Sequence, residues 1–336
     1  MIKVVVDAFG GDKSPEVNVK GAIKAVNEIS DLEIVFTGDE DILKEQLKNY
    51  TYDDKRVSVV DAKEVISCEE KPTEAIKNKK NSSMCVAFDM LKNDESVNAM
   101  VSIGSSGAIL AGGVLKIGRI KGVKRPAFCP ILPTMADGIV AICDSGSNVD
   151  CSPEYLNQFA TMGSVYVEKA FGIKNPRVAL LNVGVESEKG DLLRKETYQL
   201  LTQNKNINFV GNMESRDAIS GEYDLIVCDG FSGNVLIKTI EGTAIELLKK
   251  IKKTFTKSLK NKIGALLLKK DVYELKNYMD YNNYGGAVLL GASKTIIKGH
   301  GGSKYNAIYN CVKQAYTIEK NKLNEEIANA ILSIKE

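Results

Sequence analysis

The chain has 336 residues, 45 Lys and Arg against 43 Asp and Glu, a net charge of +2, 44% hydrophobic and 26% charged residues. This is the balance of a soluble globular protein; it excludes a general nucleic-acid binder, and no stretch approaches the ~18 apolar residues of a spanning helix. One histidine, His300, and no tryptophan exclude a multi-histidine metal site, and any Ser-His-Asp triad has to run through His300. The start lacks a basic-then-apolar leader, and the seven cysteines form no C-x-x-C pair, so reduced thiols in a cytoplasm are expected.

Taken in chain order, Ile2–Val6 reads as a strand, broken at Gly10-Gly11 and followed by a helix over Val17–Ile29. Leu32–Phe36 and Val57–Val60 read as strands on either side of a helix near Asp41–Leu47. Met84, Ala87, Phe88 and Leu91 recur at helical spacing, so Ser82–Leu91 is expected to be helical. Ala99–Ile103 is a strand ending in Gly104-Ser105-Ser106-Gly107, with a small-residue helix after it. Ala127–Leu132 and Ile139–Cys143 read as an antiparallel excursion, and Glu154–Phe171 as a long helix. Strands are expected at Val178–Val183, Ile207–Val210 and Leu225–Cys228, with a helix over Leu192–Leu201. A long helical region starts near Val235, and a last helix runs from about Asn306 to the C-terminus. The βαβα order predicts a Rossmann-like, mostly parallel sheet with helices on both faces. The simplest organisation is one α/β unit over residues 1–336 with a helical insertion at 244–280.

In such sheets ligands bind beyond the carboxyl ends of the strands. Here those ends are rich in Gly, Ser, Asn and Asp: residues 7–12, 104–107, 144–148, 184–190 and 229–234. Glycines allow close backbone approach, and free N–H groups at helix starts hold anions. Five such loops predict an anion-binding cleft using Gly10, Gly11, Ser105, Ser106, Gly107, Asn148, Ser232, Gly233 and His300. A G-x-x-x-x-G-K-[ST] motif and a G-x-G-x-x-G after the first strand are both missing, which excludes two stock nucleotide sites.

Several segments, in order along nearly the whole chain, resemble one family. They include Val6-Asp7-Ala8-Phe9-Gly10-Gly11-Asp12, Lys79-Lys80-Asn81-Ser82-Ser83-Met84, Gly118-Arg119-Ile120-Lys121-Gly122 and Arg125-Pro126-Ala127. Further on come Met162-Gly163-Ser164-Val165-Tyr166, Leu180-Leu181-Asn182-Val183-Gly184, Asp229-Gly230-Phe231-Ser232-Gly233-Asn234-Val235, Asn283-Tyr284-Gly285-Gly286-Ala287 and His300-Gly301. Together they resemble the bacterial phosphate acyltransferases, the PlsX family. Phe9 stands where that family usually has Met, Ser105-Ser106 where it has Asn-Thr, and Ser145-Gly146-Ser147 where it often has Val-Gly-Ala. The resemblance implies transfer of a fatty acyl group from acyl-acyl-carrier-protein to inorganic phosphate, early in phospholipid (phosphatidic acid) synthesis. It also implies a fold like isopropylmalate dehydrogenase and phosphotransacetylase, a homodimer, and no metal or nucleotide cofactor. Its product would pass to a membrane glycerol-3-phosphate acyltransferase.

Phosphate is already an anion, so such an enzyme needs a cradle, an oxyanion donor and orientation rather than a covalent nucleophile. Lys189 and Asn234 are the expected catalytic groups, Asn234 doubling as a possible helix N-cap. Asp7 and Asp12 are expected to be structural, and Cys143 and Cys228 buried. Ala244–Lys270 holds nine lysines against Glu246 alone, a local charge of +8. Leu248, Ile251, Phe255, Leu259, Ile263 and Leu266 recur at three- and four-residue steps, predicting one apolar helix face backed by Lys252, Lys253 and Lys257. Such a face can rest on an anionic membrane or on an acidic carrier protein, giving a peripheral attachment to the cytoplasmic membrane. Two other readings are open: a short-chain acyl-coenzyme A phosphate acyltransferase and a non-catalytic membrane-docking acyl carrier.

Overall fold

The computed structural model describes residues 1–334. In chain order the elements are β1 (Ile2–Asp7), α1 (Glu16–Glu28), β2 (Leu32–Gly38), α2 (Glu40–Leu47), β3 (Val57–Asp61), α3 (Pro72–Asn78), α4 (Ser83–Asn93), β4 (Val97–Ser102) and α5 (Ser106–Gly112). Then come β5 (Ala127–Cys129), β6 (Ile131–Pro133), β7 (Ile139–Cys143), α6 (Pro153–Phe171), β8 (Arg177–Asn182), α7 (Leu192–Gln203), β9 (Asn208–Glu214) and β10 (Leu225–Val227). The chain finishes with α8 (Gly230–Phe255), α9 (Leu259–Leu267), α10 (Lys269–Tyr278), β11 (Ala287–Leu290), β12 (Thr295–Lys298), α11 (Tyr305–Lys320) and α12 (Leu323–Ser333).

The strands form two sheets where the sequence suggested one. The larger has the order β3-β2-β1-β4-β12-β11-β5 and the smaller β6-β7-β10-β8-β9. Neighbours are parallel except at β11, which is antiparallel to β12 and β5, and at β6, which is antiparallel to β7. The predicted strand Ala127–Leu132 divides at Pro130. Phe128 pairs with Leu289 in one sheet, and Ile131 with Ala141 in the other. Pro130 has no N–H to give to a ladder, so the chain changes sheets there. One buried cluster nonetheless runs through both sheets, from Val4 and Val101 to Ala141, Val178 and Leu225, with Phe159 and Tyr166 of α6 inside it.

Two other expectations change, and two strands are added. β11 and β12, four residues each, are too short for periodicity to reveal. The last helix breaks at Asn321–Lys322, where Lys322 takes φ +53°, and α12 packs on α6. The long helical region starts at Gly230, not Val235, and divides into three helices at Thr256–Ser258 and at Leu268. The Tyr278 hydroxyl donates to the Thr134 carbonyl (2.8 Å), tying the end of this insertion to the β6–β7 hairpin. Among the described residues no helix is long and apolar enough to cross a membrane.

The starts of β8 and β10 are clamped by one ion pair. Asp224 accepts from the Arg177 backbone N–H (2.7 Å), Nε (2.9 Å) and Nη2 (2.8 Å). Burial pulls the Asp224 carboxyl upward, and the Arg177 bonds outweigh it, leaving it below its ordinary value. Asp224→Asn is expected to cost about 2 kcal/mol at neutral pH. A depressed carboxyl stabilises the fold above its unfolded-state value and stops doing so as the pH falls through its folded-state value. The difference from wild type should therefore shrink in acid; urea unfolding at pH 7 and pH 3 measures it.

Candidate active site

The site is built where α8 begins. Asp229 caps the helix, accepting from the Ser232 N–H (2.9 Å), and also accepts from the Ser232 hydroxyl and Arg194 of α7. Asn234 is therefore not the cap; it lies inside the first turns, free of that duty. The helix start is pressed against the loop after β7. A Cβ on Gly233 would stand 2.0 Å from the Asp144 carbonyl oxygen, and one on Gly230 2.7 Å from Asp144 Oδ2. Asp144 itself is buried. It accepts from the N–H groups of Phe128 (3.1 Å), Ser147 (3.1 Å) and Asn148 (2.6 Å) and from the Asn148 amide (3.0 Å). Burial raises its carboxyl and these donors work against that shift.

Helical spacing then aims a row of side chains one way: Asn234, Ile237, Lys238 and Glu241 stand at i, i+3, i+4 and i+7 of α8. They line a cleft of about 330 Å³ between the two sheets. Its other walls are Ser145 and Gly146 after β7, Ser106 opening α5, the β5–Pro130–β6 crossing, and Gly285, Gly286, Lys298 and His300 around β11 and β12. Parallel pairing of β12 with β4 sets Lys298 beside Ser102, which brings it to the same carboxyl-end rim as Ser106.

The cleft is cationic. Lys238 pairs with Glu241 (2.5 Å). Lys298 is held below the ordinary lysine value by burial and then by Lys238, against the pull of Glu241. His300 is lowered by burial, then by Lys298 and Lys238. Its Nδ1 accepts from the Gly302 N–H (3.2 Å), which puts the proton of the neutral ring on Nε2. Lys298, a Lys238 paired with Glu241, an amide donor and an imidazole thus surround a space that suits an anion.

A family model described as fatty acid synthesis protein matches residues 2–326. Curated relatives named phosphate acyltransferase match end to end. That of Clostridioides difficile is 43% identical over 335 residues, covering 100% of this chain and 98% of the relative. That of Alkaliphilus oremlandii is 45% identical over 333 residues, covering 99% and 98%. This chain belongs to the phosphate acyltransferase family. It is an acyltransferase by that membership. A phosphotransacetylase from Streptococcus pyogenes shares the fold of this phosphate acyltransferase family member at TM-score 0.62 and 17% identity, covering 95% and 94%. A branched-chain phosphotransacylase from Enterococcus faecalis does so at 0.54 and 14%, covering 94% and 99%. The predicted Rossmann-like, phosphotransacetylase-like class holds.

Of the residues singled out in this phosphate acyltransferase chain, Asn234, Ser106 and His300 line the cleft. Others support it. Ser105 caps α5, accepting from Ala108 N–H, and Gly107 packs on Pro72. Asn148 donates to Asp144 and to the Pro126 carbonyl. Ser232 is bonded to Asp229 and Arg194, and Gly233 is the close contact under α8. Gly10 lies against Gly104, and Gly11, at φ +87°, against Ile103 and Gly301; Asp12 N–H donates to the Gly301 carbonyl (3.1 Å), so this loop braces the His300 loop. Asp7 is buried and accepts from Ser83 and Ser102, a structural role as expected. Lys189 is exposed on the loop after β8 and is not among the cleft-lining residues. Sequence reasoning missed Lys238, Glu241 and Lys298. The first two follow from Asn234 by helical spacing once α8 begins at Gly230; Lys298 ends a strand too short to recognise.

The single histidine makes the electrostatics directly measurable. In an NMR titration His300 should titrate below its ordinary value of 6.5. Lys298→Met or Lys238→Met should raise that midpoint, since each removes a positive charge that disfavours imidazolium. Phosphate should raise it too. A midpoint at 6.5 or above, unmoved by either substitution, would show that the lysines do not face the ring.

Proposed function

We propose that the cleft transfers a fatty acyl group from an acyl-acyl-carrier-protein thioester to inorganic phosphate, giving an acyl phosphate for phospholipid synthesis. The observation that carries this reading is the convergence of Lys238, Lys298, His300 and the Asn234 amide on one cleft at the strand ends. A phosphate oxygen adds to the thioester carbonyl carbon, the C–S bond breaks, and the proton of hydrogen phosphate passes to the departing sulfur, directly or by way of His300. Asn234 donates to the carbonyl oxygen as it becomes negative, and the lysines hold phosphate. A protein thiol takes no part: no cysteine lines the cleft, and burial pushes the Cys143 and Cys228 thiols well above their ordinary value. We assign Lys189, exposed on the loop after β8, a charge that meets the anionic reactants as they approach.

Asn234→Ala, Lys298→Ala and Lys189→Ala should each keep the fold and lose about 10²–10³ in turnover, the typical cost of one preorganised donor. The assay follows acyl phosphate formed from a palmitoyl-carrier-protein thioester and phosphate, beside short-chain coenzyme A thioesters. Use of the coenzyme A thioesters alone would overturn the carrier-protein reading, and full activity of any variant would remove its residue from the chemistry.

The basic insertion is proposed to bring the enzyme to an anionic membrane, making it peripheral there. The expected single apolar face is corrected by the break after Phe255. Leu248, Ile251 and Phe255 of α8 and Leu266 of α9 line a groove between helices. Leu259, Ile263 and Leu267 of α9 point outward, 76%, 58% and 80% exposed. Those three, at successive turns and flanked by lysines, are the apolar surface a bilayer can take up, and each basic residue nearby adds about 1 kcal/mol before screening. Lys→Glu at Lys252, Lys253 and Lys257 should abolish co-sedimentation with anionic vesicles and spare turnover. A raised KM for the carrier protein would instead make the lysines its docking patch, and indifference of wild type to anionic vesicles would refute membrane attachment.

A further inference from the structure

We infer that Gln314 of α11, backed by Tyr166 of α6, is a positioning residue for the reaction: its buried amide locks the Gly285-Gly286 wall of the cleft beside Lys298. The inference rests on the cleft reading above. It concerns a residue outside the cleft, on the far side of that wall.

Gly285 and Gly286 line the cleft immediately before β11. The Gln314 Oε1 accepts from the Gly286 N–H (2.8 Å), and its Nε2 donates to the Gly286 carbonyl (3.1 Å). One side-chain amide therefore satisfies both backbone groups of a single residue, as a neighbouring strand would. The same Nε2 donates to the Tyr166 hydroxyl (2.6 Å). Tyr166 is 0% exposed and Gln314 8% exposed, so losing these bonds leaves largely buried polar groups poorly satisfied. A side-chain amide offers a donor and an acceptor side by side, which a carboxylate or an ammonium does not.

The fit is tight on both sides. Gly285 has φ +101°, and a Cβ there would stand 2.3 Å from Gln314 Oε1. A Cβ on Gly286 would stand 2.6 Å from the Lys298 carbonyl oxygen. The wall is thus clamped between the amide behind it and the Lys298 backbone in front. Loosening the amide frees the wall, and with it the segment that presents Lys298 and His300. Misplacement of this kind costs rate without removing any group that touches substrate.

Gln314→Met keeps the side chain's length and discards all three bonds. It should lower kcat/KM for phosphate by about 10- to 100-fold, mainly through KM, and move the His300 NMR midpoint upward. Tyr166→Phe removes one bond and should act in the same direction with a smaller effect, about three- to tenfold. A role in stability alone would reduce the amount of folded enzyme and so the apparent kcat, leaving the phosphate KM and the His300 midpoint at wild-type values. That result in Tyr166→Phe, and in Gln314→Met where it folds, overturns the proposal. Wild type assayed alongside separates the two claims: if it makes no acyl phosphate the cleft reading fails, whereas active wild type matched by both variants refutes the lock alone.

Discussion

The site depends on how closely α8 sits on the loop after β7. Gly230 and Gly233 leave no room for a side chain between helix and loop, and backbone bonds cross the contact from Gly230 N–H to the Asn148 carbonyl (2.7 Å) and from Gly146 N–H to the Gly230 carbonyl (2.9 Å). A buried carboxylate, Asp144, gathers the N–H groups of the loop behind it. Because both partners are fixed by backbone and by one satisfied buried charge, Asn234 has a defined place over Gly146. Pre-organisation of this kind is what lets an amide stabilise charge that appears only in a transition state.

The second half of the cleft comes from the other sheet. The crossing at Pro130 holds the two sheets edge to edge, so the carboxyl ends of β4 and β12 face those of β7 and β10. Lys238 arrives on α8 and Lys298 on β12, from opposite walls. Lys238 disfavours the charge of Lys298, and both disfavour imidazolium at His300. An arriving dianion would offset both penalties, at Lys298 and at His300.

α8 also joins the chemistry to the insertion. Asn234 and Phe255 lie on one unbroken helix, about 30 Å apart at 1.5 Å per residue. Lys252 and Lys253 stand about 16–18 Å along α8 from Glu241, the last cleft-lining residue of that helix, beyond a Debye length of about 10 Å.

Local pattern determined much of this protein. Apolar runs such as Val4–Val6 and the helical spacing of Met84, Ala87, Phe88 and Leu91 recorded their elements directly, because burial of a strand or of one helix face leaves a period in the chain. The strand-end loops and Asn234, Ser106 and His300 were legible for the same reason, since Gly, Ser and Asn are needed where backbone approaches ligand. Tertiary structure decided the rest. Whether Ala127–Leu132 is one strand or two depends on which partners flank Pro130. β11 and β12 are too short to carry a period and exist through pairing with β4 and β5. Whether Leu259 and Ile263 continue the face of Leu248 depends on a break at Thr256 that local propensity does not mark. Lys298 and Gln314 carry no motif of their own. Their roles come from what stands opposite them, a lysine across the cleft and a backbone amide behind it, and such pairings join residues far apart in the chain.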